Sequence, residues 1–341
     1  MLPFKLVYSD GYELPIGHHV FPAQKYRLVR KRLLETGAAE ARDFVEPQPA
    51  SDRDVQLVHT AGWVRKLTTG TLSVREELEL EVPYSKALID AFWLMAGGSI
   101  RAAELALRDG VCLHLGGGFH HAFPDHGEGF CVINDIAIAI RKMQQQGKIT
   151  RAMVVDCDVH QGNGTAAIFG KHAEPFPAPD AWSAEITAPH HRAPAMLQNH
   201  YGDVFTISLH QLNNYPTWKP PSSIDINLPD GATDSEYLHW LDKALNSARK
   251  LFDPELISYV AGADPYARDQ LGGLGLTLQG LRRRDEMVLG FACDWGIPIM
   301  TTCAGGYAED LNDTVTIHAN TVLAASKIFD VAESTRRSAA D

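Results

Sequence analysis

Short apolar runs alternate with longer segments of helical spacing along most of this 341-residue chain. Compact apolar runs predict strands at 5–8, 111–115, 152–155, 204–209, 257–261 and 298–302. Apolar positions three and four residues apart predict helices at 24–34, 83–108, 133–146, 233–250, 278–293 and 311–328. Strands that alternate with helices are typical of an α/β protein with a mostly parallel sheet covered on both faces.

Three stretches depart from this rhythm. Gly97-Gly98 falls inside the helical pattern of 83–108 and marks either a close approach to a neighbouring segment or a break between two helices. Residues 170–202 are rich in Pro, Ala and His and show no clear period. A loop of this length in a compact domain is usually functional or disordered. The small and polar residues at 331–341 predict a flexible tail.

The acidic composition limits the classes of partner. The chain has 42 acidic against 31 basic residues, a formal net charge of −11, and one short basic run at 282–284, inside a predicted helix. Binding to a nucleic-acid backbone relies on clustered basic residues, so we expect no nucleic-acid partner. An acidic surface would tolerate a cationic substrate.

No segment predicts export or insertion into a membrane. The N-terminus lacks a basic region followed by an apolar one. The longest apolar stretch, 87–100, is too short to span a bilayer and is interrupted by Asp90 and Gly97-Gly98. The five cysteines are scattered without a CxxC pair, which is typical of reduced thiols. We therefore predict a cytoplasmic protein without a membrane partner.

Polar side chains gather where five of the predicted strands end. Ligands of open parallel sheets bind beyond the carboxyl ends of the strands, which meet at one edge. The polar groups in question are His120-His121, Asp156-x-Asp158-x-His160, Ser208-Leu209-His210, Asp264-Pro265 and Gly305-Gly306-Tyr307. Each group alone has an ordinary structural explanation, such as a surface pair, a helix cap, a turn or a packed ring. Together they predict a reaction centre.

Asp156, Asp158 and His160 sit at alternate positions, so an extended strand would point all three side chains the same way. Asp158 and His160, joined by Asp264, could hold one Zn²⁺ and leave a coordination position for water and substrate. Such a zinc ion lowers the pKa of its water to about 7 and polarises a carbonyl.

The remaining polar groups supply candidates for proton transfer. His120 and His121 could be the general acid and base. A catalytic histidine needs a partner on its far nitrogen, and Asp156 for His120 and Asn163 for His121 are candidates. Tyr307 could donate its hydroxyl to the developing oxyanion. This set predicts metal-assisted hydrolysis of an amide.

In these motifs the chain resembles the zinc-dependent histone deacetylase family, and in detail its class IV-like branch with bacterial relatives. The matching motifs, in family order, are Gly-Gly-Phe-His120-His121-Ala-Phe-Pro, Gly129-Phe130-Cys-Val-Ile-Asn134-Asp135, Asp156-x-Asp158-x-His160-Gln-Gly-Asn163-Gly, Ser208-Leu209-His210, Ala263-Asp264-Pro265 and Gly305-Gly306-Tyr307. The resemblance implies an arginase/deacetylase-like three-layer α/β/α fold in one catalytic domain, 1–330. It also implies the zinc ligands and proton-transfer groups named above, with Tyr307 as the carbonyl-polarising residue.

Further sites follow from the resemblance alone. Family members carry monovalent cation sites, usually for K⁺; one would match the side chains or carbonyls of Asp156, Asp158, His160, Ser208 and Leu209. A second would lie near Phe169. Gly129 and Phe130 match one side of the acyl-lysine channel, and Tyr215 is a candidate for the opposite wall.

Departures from the family pattern raise specific questions. Asn163 stands where many members have Asp, so His121 should be less basic than with a carboxylate partner. Ala304 precedes Gly-Gly-Tyr at a position where family members commonly have Gly or Ser. The insertion at 170–202 leaves open a lid, a rim that restricts large substrates, an oligomer contact or a tolerated surface loop.

The leading hypothesis is a zinc deacetylase or deacylase that acts on acyl-lysine in a protein or peptide. Its nearest rival is a deacetylase of a small acylated amine such as an acetylpolyamine. A di-manganese ureohydrolase would need further aspartate ligands in place of the 160–163 pattern and Tyr307. An inactive binding module fits poorly, because every catalytic position is filled. The natural substrate, the preferred acyl length and the oligomeric state stay open.

Overall fold

The computed structural model describes residues 2–170, 186–187 and 202–340, with backbone alone at 186–187 and 331–340. The described strands form one sheet. They are β1 (Lys5–Val7), β2 (Phe44–Val45), β3 (Val111–His114), β4 (Ala152–Asp156), β5 (Ile186–Thr187), β6 (Val204–Gln211), β7 (Ile224–Leu228), β8 (Leu256–Val260) and β9 (Ile299–Thr302). The order across the sheet is β2-β1-β3-β9-β8-β4-β6-β7-β5, and only β5 runs antiparallel to its neighbour. The predicted, mostly parallel sheet is confirmed.

Helices cover both faces of this sheet. Those described are α1 (Lys25–Glu35), α2 (Asp52–Val55), α3 (Ala61–Thr69), α4 (Val74–Leu80), α5 (Lys86–Asp109), α6 (Asp135–Gln145), α7 (Asn163–Phe169), α8 (Asp234–Leu251), α9 (Leu278–Asp294) and α10 (Leu311–Ala340). Alternate strand residues serve the two layers: Val154 packs in the core with α5 and α6, whereas Val155 packs in the core with α8, α9 and α10. The arrangement is the predicted α/β/α fold.

Gly97 and Gly98 lie inside one continuous helix, α5, and do not break it. A Cβ on Gly97 would lie 1.8 Å from the carbonyl oxygen of Gln48, and one on Gly98 would lie 2.2 Å from the hydroxyl of Tyr12. Close approach is therefore the correct one of the two interpretations. None of the helices in the described ranges combines the length and the apolarity that crossing a bilayer requires.

Several elements were not foreseen from the pattern. They are the short elements β2, α2, α3, α4 and α7, and also β7. β7 pairs with β6 as far as Gln211, so β6 continues two residues beyond its predicted end. Of the insertion at 170–202, residues 171–185 and 188–201 lie outside the described residues. The last helix continues past 328 to Ala340, and flexibility of the tail at 331–341 stays a prediction.

Candidate active site

The side chains predicted for the site converge at the carboxyl ends of the central strands. His120 and His121 follow β3, Asp156 ends β4, and Tyr307 follows β9. A narrow cavity of about 20 Å³ opens there. Its lining includes Phe21, Gly118, His120, His121, Gly129, Phe130, Asp158, His160, Gly305 and Tyr307.

The expectation about strand alternation was wrong in one respect. β4 ends at Asp156, and the backbone bends through 157–160, so Asp158 and His160 are not on a strand face. Asp156 turns to His120 instead, while Asp158 and His160 meet Asp264 from the end of β8. Hydrogen bonds hold the bend, because Asp156 Oδ1 accepts from the Asp158 backbone N–H at 3.1 Å.

Asp158, His160 and Asp264 form a buried group whose ligand atoms all lie within 4.8 Å of one another. Nδ1 of His160 lies 3.1 Å from Asp158 Oδ1 and 3.4 Å from Asp264 Oδ2. Asp264 Oδ2 has no hydrogen-bond partner among the described residues. Two buried carboxylates and one imidazole that face a common point fit a divalent cation, and zinc in particular.

The electrostatics of this group favour a positive charge at its centre. Burial raises the pKa of Asp264 to about 7, and the neighbouring Asp158 carboxylate adds to the rise. Burial alone would lower the pKa of His160, but its contacts with Asp158 and Asp264 raise that pKa to about 10. A bound cation would replace the proton as the counter-charge of the two carboxylates.

His120 is held by a buried carboxylate. Its Nδ1 donates to Asp156 Oδ2 at 2.7 Å, and its Nε2 lies 3.7 Å from Asp158 Oδ1. Burial alone would lower the pKa of His120, but Asp156 and Asp158 together raise it to about 9. His120 therefore favours the charged form.

His121 is held by an amide instead. Its Nδ1 lies 2.7 Å from Asn163 Oδ1, which accepts the hydrogen bond. Burial, and then the charges of His120 and His160, keep the pKa of His121 well below its usual range. The two imidazoles, 4.1 Å apart between ring centroids, thus favour opposite charge states. Such a divergence is typical of paired acid and base groups.

Hydrogen bonds to its backbone N–H and carbonyl position Tyr307. Its N–H donates to Asp269 Oδ2 at 2.7 Å, and its carbonyl accepts from Gln270 Nε2 at 2.8 Å. Burial and the nearby carboxylates of Asp264 and Asp158 raise the pKa of the phenol. The hydroxyl therefore keeps its proton and can donate a hydrogen bond.

The predicted channel residues lie beside the histidine pair. The Phe130 ring is 6.0 Å from that of Tyr307, and the Tyr215 ring is 5.0 Å from that of His121. Gly129 has φ of 53°, and a Cβ there would lie 2.9 Å from the Tyr215 hydroxyl. Glycine is therefore required at this turn, which lies beside Phe130 and Tyr215.

Three residues at the site were not predicted. Buried Lys25 donates to the carbonyl of Ala304 at 2.5 Å, and burial lowers its pKa. Buried Arg284 donates to the carbonyls of Cys157 and Gly262, at 3.2 and 2.5 Å, and so ties together the segments that carry the candidate ligands. Glu128 accepts from Asn163 Nδ2 at 2.5 Å. These contacts join distant parts of the chain, so a local pattern gives no sign of them.

Two of the five candidate potassium residues are neighbours in the sheet. Asp156 of β4 and Ser208 of β6 are paired in register, and both are buried. Ser208 Oγ lies 3.0 Å from His210 Nδ1. Phe169, near the second candidate site, ends α7 and packs under the Arg141 guanidinium, 4.9 Å from its ring centroid.

Comparison with known proteins extends the similarity to most of the chain. An uncharacterized protein of Picosynechococcus sp. is 35% identical over 327 residues, which are 96% of this chain and 99% of that protein. Histone deacetylase 2 of Arabidopsis thaliana is 30% identical over 89% of this chain and 74% of its own length. The acetoin utilization protein AcuC of Bacillus subtilis is 28% identical over 80% of this chain and 69% of its own.

Solved structures agree on the fold. A histone deacetylase homologue crystallised with SAHA superimposes with a TM-score of 0.72 and 21% identity, over 94% of this chain and 82% of that one. The homologue from Aquifex aeolicus gives 0.70 and 22%, over 94% and 82%. The family model described as the histone deacetylase domain matches residues 19–323. The chain therefore belongs to the histone deacetylase family, a family of deacetylases with the arginase/deacetylase fold.

Proposed function

We propose that this protein is a Zn²⁺-dependent deacylase that hydrolyses the amide of acyl-lysine in a peptide or protein. The observation that carries the proposal is the buried Asp158–His160–Asp264 group beside two histidines that favour opposite charge states. Asp158, His160 and Asp264 would hold the zinc ion. When bound, the ion supplies Lewis-acid activation of the water and of the scissile carbonyl.

His121, His120 and Tyr307 take separate roles in the proposed reaction. Uncharged His121 bonds Asn163 through Nδ1, so its Nε2 is free to accept a proton from the attacking water. His120, held in its charged form by Asp156, carries the proton that the leaving amine needs. Tyr307 keeps its hydroxyl proton and donates a hydrogen bond to the developing oxyanion.

The surroundings support a long, narrow substrate. The Tyr215 ring packs against His121, and the Phe130 ring lines the small cavity together with the histidine pair and Tyr307. Apolar walls with a few polar groups at the end suit the aliphatic chain of an acyl-lysine. An acetylated polyamine has a similar chain with a cationic end, which the net charge of −11 also favours.

We also propose a K⁺ ion next to the zinc site, bound by Asp156, Asp158, His160, Ser208 and Leu209. The support is the register that brings the buried Asp156 and Ser208 side by side. Oxygen ligands of this kind suit a hard cation.

The test is hydrolysis by zinc-loaded protein of fluorogenic lysine peptides that carry acyl groups from acetyl to long-chain. Tyr307→Phe is the comparison variant. We expect turnover well above that variant with at least one acyl group, and a lower kcat/KM on acetylputrescine. A higher kcat/KM on acetylputrescine would favour the small-molecule alternative. No turnover above Tyr307→Phe on any substrate would contradict the proposal.

A further inference from the structure

We infer that Glu128 sets the orientation of the Asn163 amide and thereby decides which nitrogen of His121 carries the proton. The three side chains form a continuous chain of hydrogen bonds. His121 Nδ1 donates to Asn163 Oδ1 at 2.7 Å, and Asn163 Nδ2 donates to Glu128 Oε1 at 2.5 Å. His121 and Asn163 are buried, and the Glu128 side chain is 24% exposed.

An asparagine beside a histidine leaves the proton undetermined, unlike an aspartate. An amide has an oxygen that accepts and a nitrogen that donates, and the two ends have almost the same shape. With the oxygen towards His121, the proton sits on Nδ1 and Nε2 is free. With the nitrogen towards His121, Nδ1 must accept and the proton moves to Nε2. An aspartate at this position could only accept, so it would allow the first arrangement alone.

Glu128 removes this ambiguity at the far end of the amide. An ionised carboxylate only accepts hydrogen bonds, so the end of Asn163 that faces it must be the nitrogen. The Tyr215 hydroxyl donates to the same Oε1 at 2.8 Å, which also requires an acceptor at this point. Bonds to a charged acceptor are stronger than neutral ones, so the arrangement is held firmly. Glu128 thus supplies the negative charge that Asn163 lacks, on the side of the amide away from His121.

This inference rests on the proposed function for its effect on rate, because only a free Nε2 lets His121 accept a proton from water. Glu128 itself does not line the cavity described above. It is a positioning residue that acts through Asn163, so its loss should lower kcat and leave KM nearly unchanged.

An exchange of the two groups tests the inference. Glu128→Gln leaves two amides in contact, and both orientations become available. Asn163→Asp leaves two carboxylates in contact, which repel each other. The double variant Glu128→Gln/Asn163→Asp restores one carboxylate and one amide, and the carboxylate then accepts directly from His121. We expect each single change to lower kcat on the order of 10-fold, the usual effect of losing such a partner. We expect the double variant to recover most of the loss.

Asp125→Asn is the matched control, because it also removes a carboxylate from this loop. The described contact of the Asp125 carboxylate is with His126 alone. Its kcat should equal that of the parent. A second readout, independent of turnover, is ¹⁵N NMR of histidine-labelled protein, with the His121 signal assigned by its loss in His121→Gln. The parent and the double variant should show a protonated Nδ1 and an unprotonated Nε2, and Glu128→Gln should show both tautomers.

Additive losses in the double variant would overturn the inference, because a purely structural role for Glu128 predicts them. An unchanged Nδ1–H tautomer in Glu128→Gln would overturn it as well. If neither the parent nor any variant hydrolyses acyl-lysine, the proposed function is contradicted. The NMR result still tests the tautomer of His121 independently.

Discussion

Asp264 Oδ2 lies 3.4 Å from His160 Nδ1 and has no hydrogen-bond partner among the described residues. Buried carboxylate oxygens are normally satisfied, so an acceptor of this kind supports the proposed cation beside it. Asp158 offers a second carboxylate to the same point. The relationship is the strongest structural support for a metal ion at the end of β4 and β8.

Asp264→Ala should lose bound zinc and activity together. The substitution removes one of three protein ligands, and the remaining two do not make a complete zinc site. His121→Ala should keep the zinc and lose rate, on the order of 10²-fold or more, because general base catalysis contributes that much. Metal analysis of the purified variants, with turnover measured on the same samples, separates the two. Zinc retained at full stoichiometry in Asp264→Ala would refute its assignment as a ligand.

Tyr307→Phe should lower kcat on the order of 10²-fold and change KM little. The hydroxyl acts on charge that develops only in the transition state, so ground-state binding does not depend on it. The ring contacts with Phe130 and Phe21 remain, so the melting temperature should hold. Steady-state kinetics on an acyl-lysine peptide checks the split. A rise in KM at unchanged kcat would assign the hydroxyl to substrate binding instead.

Gly305→Ala should abolish metal binding although it adds a single methyl group. A Cβ at this position would lie 2.0 Å from Asp264 Oδ2 and 2.7 Å from Asp158 Oδ2, so both carboxylates would have to move. Gly290→Ala is the matched control, because no atom lies within 4 Å of its Cβ and the residue is in a helix. That control should bind zinc normally and gain about 0.5–1 kcal/mol of stability. Equal zinc affinity in the two variants would contradict the geometry.

Protonation of His59 should lower the free energy of unfolding as the pH falls. Burial lowers the pKa of His59 to about 4, and its Nε2 accepts from the Asn134 backbone N–H at 2.9 Å. Above pH 6.5 the side chain is neutral in both states and causes no loss. Between pH 6.5 and 4 the unfolded chain binds a proton that the folded one does not, which costs up to about 1.4 kcal/mol per pH unit. Below the folded pKa the effect levels off.

The check is urea unfolding across this pH range. His59→Gln keeps an acceptor for Asn134 but does not titrate. Between pH 6.5 and 4 this variant should therefore take up about one proton fewer on unfolding, so its free energy of unfolding should fall less steeply with decreasing pH. The same slope in both proteins would show that His59 is protonated equally in the folded and unfolded states.

The position of the site could be predicted because parallel strands end at a common edge. That rule brought His120, Asp156, Asp264 and Tyr307 together correctly, although they are up to 187 residues apart. Strand alternation did not explain Asp158 and His160, because the strand ends at Asp156 and hydrogen bonds of the bend orient the next residues. A local pattern cannot reveal where a strand stops pairing.

Supporting residues escaped prediction for a different reason. Lys25 reaches the backbone of Ala304, and Arg284 reaches Cys157, across separations of 279 and 127 residues. In the sequence each is an ordinary basic residue of an amphipathic helix, the kind that is usually exposed. Only the packed helices show that both are buried. β7 was missed because a five-residue strand between prolines carries little periodic signal.

A zinc titration of metal-free protein tests directly whether hydrolysis depends on a single bound zinc ion. Bound metal and hydrolysis of an acyl-lysine peptide, with the acyl group that gives the highest turnover, are measured in the same samples. We expect activity to rise with bound zinc and to level off at about one ion per chain, held by Asp158, His160 and Asp264. Full occupancy without hydrolysis, or activity that requires two manganese ions per chain, would contradict it.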